Sequence, residues 1–139
     1  MYLLGTNILS ELMRAKPEPR VEARFESEPE GLFTSAICIE EIRFGAAIGP
    51  PGNRLWERAE ADVLPCVIVL AFDENLARSA GVLRAEWKKQ GTPVGYRDGM
   101  IAATAKTNGF VLVTRNVRHF DHVAGLKVEN WFEQGPAAT

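Results

Sequence analysis

Glu41, Asp98 and Asn116 are the residues whose chemistry is out of keeping with their place in the chain. Within Ser35 to Ile48, Glu41 has Ile37, Cys38, Phe44 and Gly45 three and four positions away, so at helical spacing it falls on the apolar stripe. A carboxylate buried there needs a partner, or must bend out to water or pair with an arginine. Asp98 shares a stripe with Ile101, Ala102 and Ala105, at a position where a carboxylate also serves as a helix cap. Asn116 follows the apolar run Phe110–Val113, a place where asparagine often does no more than turn the chain. Each residue alone has an ordinary structural explanation. Together they bring two carboxylates and an amide from separate segments to one predicted edge.

Clustered oxygen donors without matching thiols or paired histidines suit a hard cation such as Mg²⁺, or Mn²⁺. Such ions serve phosphodiester hydrolysis by polarising phosphoryl oxygens and activating water. Arginines accompany the candidates: Arg43 near Glu41, Arg97 beside Asp98, and Arg115 and Arg118 around Asn116. They form a candidate RNA-binding patch, against the alternative of ordinary solvated surface charges. His119 and His122 lack the spacing of a helical metal pair, and a surface role is expected for both.

The elements that must position these groups alternate between strand and helix patterns. Tyr2–Leu4 reads as a strand, and residues 7–13 as a helix with Thr6 or Asn7 as its cap. A short helix around Val21 and Phe25 follows, then a strand at 31–34. Ser35 is placed to cap a helix reaching Ile48, and Gly49-Pro50-Pro51-Gly52 breaks the chain. Beyond it come a helix near 55–64, a strand at 67–70, a long helix capped by Asp73 through Trp87, and a helix from 97 to 107 closed by Asn108-Gly109. Phe110–Val113 has the continuous apolar character of a strand buried on both faces, and a last strand is expected near 127–128. Alternation of this kind predicts an α/β domain with a central parallel sheet flanked by helices on both faces. Ligands in such folds bind beyond the carboxyl ends of the strands, which points to residues 5–7 and 114–116.

Composition bounds the function. The chain has 139 residues, 46% hydrophobic and 24% charged, which suits one domain, expected over residues 1–134 with a disordered tail at 135–139. Sixteen basic against 18 acidic residues give a net charge of −2, so a nucleic-acid partner would have to be held by a local patch. The apolar run 67–72 is far short of the ~18 residues that span a bilayer, and no signal peptide is visible; a cytoplasmic protein without a membrane partner is expected. Cys38 and Cys66 fit no metal or redox spacing and are expected to be buried thiols.

Four stretches together resemble the bacterial PIN-domain toxins of the VapC and FitB type. MYLLGTNILSEL is similar to their opening, usually LLDTNILSEL; SAICIEEIRFGA is similar to their second motif; GYRDGMIAATAKTNGFVLVTRNVRHF resembles their third and fourth. The likeness runs from Met1 to about Trp131. It implies a PIN-like fold and a Mg²⁺-dependent endoribonuclease acting as the toxin of a toxin–antitoxin pair. It implies a homodimer or higher assembly, an antitoxin with a DNA-binding end and a tail crossing the toxin groove, and an RNA substrate such as transfer RNA. By the same resemblance Glu41, Asp98 and Asn116 hold metal, supported by Thr6 and Thr114. The tail's apolar anchors are expected to meet residues such as Leu9, Leu12 and Met13.

The chain departs from the family at Gly5, where the motif has aspartate. A missing carboxylate weakens metal binding and impairs the nuclease, so the fold would carry a crippled enzyme. The alternatives are a non-catalytic PIN module that grips RNA or an antitoxin, and a native glycine required by a left-handed turn or a close backbone approach. A phosphate-cradling first turn is unsupported, because no GK[ST] follows.

Overall fold

A computed structural model describes residues 1–28 and 31–133. The tail expected at 135–139 and the end of the expected domain at 134 lie outside the described residues. Five parallel strands form one sheet in the order β3-β2-β1-β4-β5: β1 (Tyr2–Leu4), β2 (Leu32–Ser35), β3 (Ile68–Leu70), β4 (Val111–Val113) and β5 (Val128–Glu129). β1 is central, with Leu4 opposite Thr34 on one side and Val113 on the other.

Among the described residues six helices connect the strands: α1 (Thr6–Leu12), α2 (Pro19–Ser27), α3 (Ala36–Ile48), α4 (Leu55–Arg58), α5 (Glu74–Lys89) and α6 (Tyr96–Asn108). The first two crossovers, through α1–α2 and α3–α4, step outward from β1 to β3. The third, through α5–α6, returns across the sheet to β4. Right-handed crossovers running in opposite directions place their helices on opposite faces, giving the expected double cover. No helix among the described residues is long and apolar enough to cross a membrane.

Local sequence signals explain most boundaries. Ser35 Oγ accepts from Ile37 N at 3.1 Å, and Asp73 Oδ1 from Leu76 N at 2.9 Å, so both predicted caps form. Gly109 closes α6 in the left-handed conformation, at φ 70°, which glycine adopts without a Cβ clash. Three expectations change. Neither Thr6 nor Asn7 caps α1: Gly5 holds that position, and both residues lie inside the helix with side chains turned to tertiary partners. The helix expected at 55–64 winds as α through Arg58, as a π turn over Ala59–Val63 and as a 3₁₀ turn over Leu64–Cys66, where Pro65 lacks the N–H an α-helix needs. Asp98 is not a cap, because Gly95 precedes α6 and Asp98 is its third residue.

The core gathers Leu3 and Leu4 of β1, Ile8, Leu9 and Leu12 of α1, Leu112 and Val113 of β4, and Trp87 and Trp131. Leu9, Leu12 and Met13 are therefore buried in the protein's own interior and are not available to anchor a partner. At the other edge of the sheet, Ile68 is 58% exposed, because β3 pairs on one side only.

The two cysteines part company. Cys38 is buried as expected, whereas Cys66 is exposed, on a 3₁₀ turn none of whose residues is buried. Burial pushes the Cys38 thiol above its ordinary range, against hydrogen bonds with Thr6, Thr34 and the Ser35 backbone, while the charge of Glu41 adds to the rise. Folding therefore holds this thiol neutral. The corresponding stabilisation is complete below the unfolded thiol's titration and is lost as pH rises through the folded value. Iodoacetamide at mildly alkaline pH should label Cys66 in the native protein and Cys38 only after denaturation, read by peptide mass spectrometry. Equal labelling of both would contradict the buried position of Cys38.

Candidate active site

The carboxyl ends of β1 and β4 are held level by the sheet. Gly5 N–H donates to Val113 O at 2.9 Å, continuing the ladder one residue beyond β1. On the other side, Thr34 Oγ1 donates to Leu4 O at 2.8 Å. The chain then turns directly into α1, with Ile8 and Leu9 N–H donating to Gly5 O at 3.2 Å. Above this point opens a cleft of about 410 Å³. Gly5, Thr6, Glu41, Asp98, Thr114, Arg115 and Asn116 all line it. Residues from four segments, up to 111 positions apart in sequence, thus meet at the point where β1 has β2 on one side and β4 on the other, the position at which parallel α/β sheets bind ligands.

Glu41 has a partner on each of its oxygens, and Asp98 on one. Thr6 Oγ1 donates to Glu41 Oε1 at 2.8 Å, while Arg97 Nη1 lies 3.6 Å from Glu41 Oε2. His119 Nδ1 lies 3.2 Å from Asp98 Oδ2. Thr114 Oγ1 accepts from Asn116 N at 3.1 Å and from Asn7 Nδ2 at 3.4 Å, and Asn7 Oδ1 accepts from Arg115 N at 3.2 Å. Thr6 and Thr114 are therefore supports, one for a carboxylate and one for the loop that carries Asn116.

The four arginines separate. Arg115 lines the cleft with its guanidinium 4.4 Å from the Phe132 ring centroid. Arg118 lines an adjoining cleft. Arg97 does not line the acidic cleft; it spans Glu40 at 3.2 Å and Glu41 at 3.6 Å. Arg43 lines neither cleft and sits 5.0 Å over the Trp56 ring, so Glu40 pairs with Arg97 across the α3–α6 contact and not with Arg43 on its own helix.

Two groups escaped the sequence reading. Asn7 is the clasp between the β1 and β4 ends, a role that depends on a partner 107 positions away. His119 faces Asp98, whereas His122 lies 3.4 Å from the neighbouring Asp121. A His–His spacing rule looks for partners within one helix and misses a histidine whose partner is a carboxylate on another element. The cleft also includes Glu11, which is buried and paired with Arg14 at 3.0 Å.

The donor set has the hard-oxygen chemistry that Mg²⁺ or Mn²⁺ takes: Glu41, Asp98 and the Asn116 amide. It is short of acids. Among the described residues, no group of three or more His, Cys, Asp or Glu side chains gathers in a metal-binding arrangement. Gly5 lines the cleft and offers it no side-chain donor. Its φ of −77° and ψ of 170° are open to any L-residue, so no left-handed turn demands glycine. The approach of the neighbouring backbone is close: a Cβ at position 5 would lie 3.0 Å from Val113 O and 3.8 Å from Thr114 Cβ. A side chain there requires a local shift of a few tenths of an ångström.

The Thr6–Glu41 bond is the testable unit of this geometry. Thr6→Val and Glu41→Leu should be non-additive in urea unfolding, with a coupling of about 1 kcal/mol. Strict additivity would show that the hydroxyl does not hold the carboxylate.

The PIN domain model matches residues 2–126. The chain is 41% identical to VapC ribonuclease Y4jK of Sinorhizobium fredii, covering 96% of this chain and 99% of that one. It is 38% identical to toxin FitB of Neisseria gonorrhoeae, over 86% and 91% of the two chains. It is 33% identical to the tRNA(fMet)-specific endonuclease VapC of Salmonella typhimurium, over 94% and 97%. Among solved structures, FitAB bound to a DNA fragment superposes with a TM-score of 0.84 at 34% identity, covering 99% of this chain and 100% of that one. DNA-bound VapBC from Salmonella typhimurium gives 0.83 at 32%, over 94% and 97%. The chain belongs to the PIN-domain family, alongside the VapC and FitB toxins.

Proposed function

We propose that the protein is a Mg²⁺-dependent endoribonuclease toxin of a toxin–antitoxin pair, weakened at Gly5. The observation that carries this reading is the meeting of Gly5, Glu41, Asp98 and Asn116 in one cleft at the carboxyl ends of β1 and β4. Glu41, Asp98 and Asn116 would hold the ion, which when bound supplies Lewis-acid stabilisation to phosphoryl oxygens. The chain's own part is positional. Thr6 and Arg97 restrain Glu41, His119 restrains Asp98, and the Asn7–Thr114 clasp sets the loop bearing Asn116. Gly5 adds no side-chain oxygen, so two formal negative charges face a divalent ion where an aspartate would make three.

Relatives named ribonucleases and a transfer-RNA-specific endonuclease support RNA as substrate, with transfer RNA the first to try. Neighbours solved as FitAB and VapBC support an antitoxin partner with a DNA-binding domain, and the reading includes a homodimer within that assembly and a cytoplasmic site of action. The shortage of acids favours a second reading, a PIN-fold module that binds RNA or antitoxin without cutting.

Gly5→Asp separates the two. It adds an anionic ligand from a rigid strand end, and positional errors near ~1 Å cost about a hundredfold in rate, so cleavage should rise at least tenfold. The measurement is cleavage of a labelled structured RNA by both forms, with Mg²⁺ and with chelator, and growth of cells expressing each. Chelator should abolish cutting by the aspartate form. A glycine form that cuts equally fast would refute the impairment, and an aspartate form that remains inert would favour the binding module.

A further inference from the structure

Resting on the ribonuclease reading, we infer that the RNA strand is held through its phosphates by a track along the loop after β4, built from Arg115 and Arg118, and that Arg43 and Arg97 take no part. A polyanion entering a cleft lined by Glu41 and Asp98 is repelled unless cations adjoin it. The cleft continues on the β5 side into a second hollow of about 490 Å³, lined by Arg115, Asn116, Arg118, His119 and Asn130, with Glu133 as its acidic member. Arg115 and Asn116 line both hollows, so the acidic cleft and this basic one share a wall.

The charges available differ sharply among the four arginines. Arg115 is held by the Phe132 ring, with no carboxylate partner among the described residues, so its charge is free for an anion while its position is restrained. Arg118 is exposed and makes no ion pair among the described residues. Arg97 is already shared between Glu40 and Glu41. Arg43 lies over Trp56, outside both hollows. Arg14 lines the acidic cleft but is bound to Glu11. The free positive charge at the site therefore lies on one side only, and the strand leaves the acids toward β5. Arginine suits this task, because its planar fork recognises phosphate oxygens in pairs.

The test is equilibrium binding of the full chain to a short fluorescein-labelled single-stranded RNA, by anisotropy, in chelator and across a salt series. Arg115→Gln and Arg118→Gln should each weaken binding roughly three- to tenfold and reduce the steepness of log K against log salt by about 0.7, the contribution of one single-strand phosphate contact. Arg43→Gln, outside both hollows, should leave that slope unchanged. Thermal melts check that each variant folds. Wild-type slopes in both Arg115 and Arg118 variants, with RNA still bound, overturn the track and leave the ribonuclease reading standing. So does an equal loss in the Arg43 variant. Failure of the wild type to bind RNA at any salt overturns both.

Discussion

The site depends on β1 being locked between two parallel neighbours. Leu3 and Leu4 have no exposed surface, and their strand pairs in register with both β2 and β4. A strand in that position cannot slide or tilt without breaking two ladders and turning apolar side chains out of the core. Its end is consequently a fixed point. Gly5 bonds to Val113, Thr34 bonds to Leu4, and α1 begins on the Gly5 carbonyl. Every distance in the cleft is measured from that anchored end, including the Asn7–Thr114 clasp and the reach of Thr6 to Glu41.

Rigidity at this point also limits what position 5 can carry. The backbone of Gly5 is extended and unstrained, and the limit on a side chain is the carbonyl of Val113, itself part of the ladder. That carbonyl can give only a little, because β4 is buried and pairs on its other side with β5. A side chain at position 5 would thus be aimed by the sheet itself. Its absence leaves two carboxylates on helices α3 and α6, each with a nitrogen of the same chain beside it: Arg97 Nη1 for Glu41 and His119 Nδ1 for Asp98. Such exposed pairs are individually weak, so they restrain the carboxylates without closing them to a cation.

Charge is distributed to match. A net charge of −2 conceals an uneven surface on which neighbours have neutralised some cations and left others free. Whether an arginine is available depends on what stands beside it. Glu40 and Glu41 take up Arg97, whereas the Phe132 ring holds Arg115 in place without cancelling its charge.

Much of this was readable in the residues themselves. The strands at 2–4 and 111–113, the caps Ser35 and Asp73 and the stop at Gly109 are local events, set by apolar runs, side-chain oxygens and a glycine at its own position. Glu41 and Asp98 stood out for the same reason, as acids on otherwise apolar stripes. Tertiary structure alone decided the pairings. Asn7 and Thr6 read as caps because the sequence shows their neighbours in the chain and not Thr114 or Glu41. Cys66 read as buried and Leu9, Leu12 and Met13 as available because hydrophobic type does not say which layer covers which side. The free and the neutralised arginines look alike in sequence. Periodicity reports which residues share a face of one element; only the packing of elements determines what that face meets.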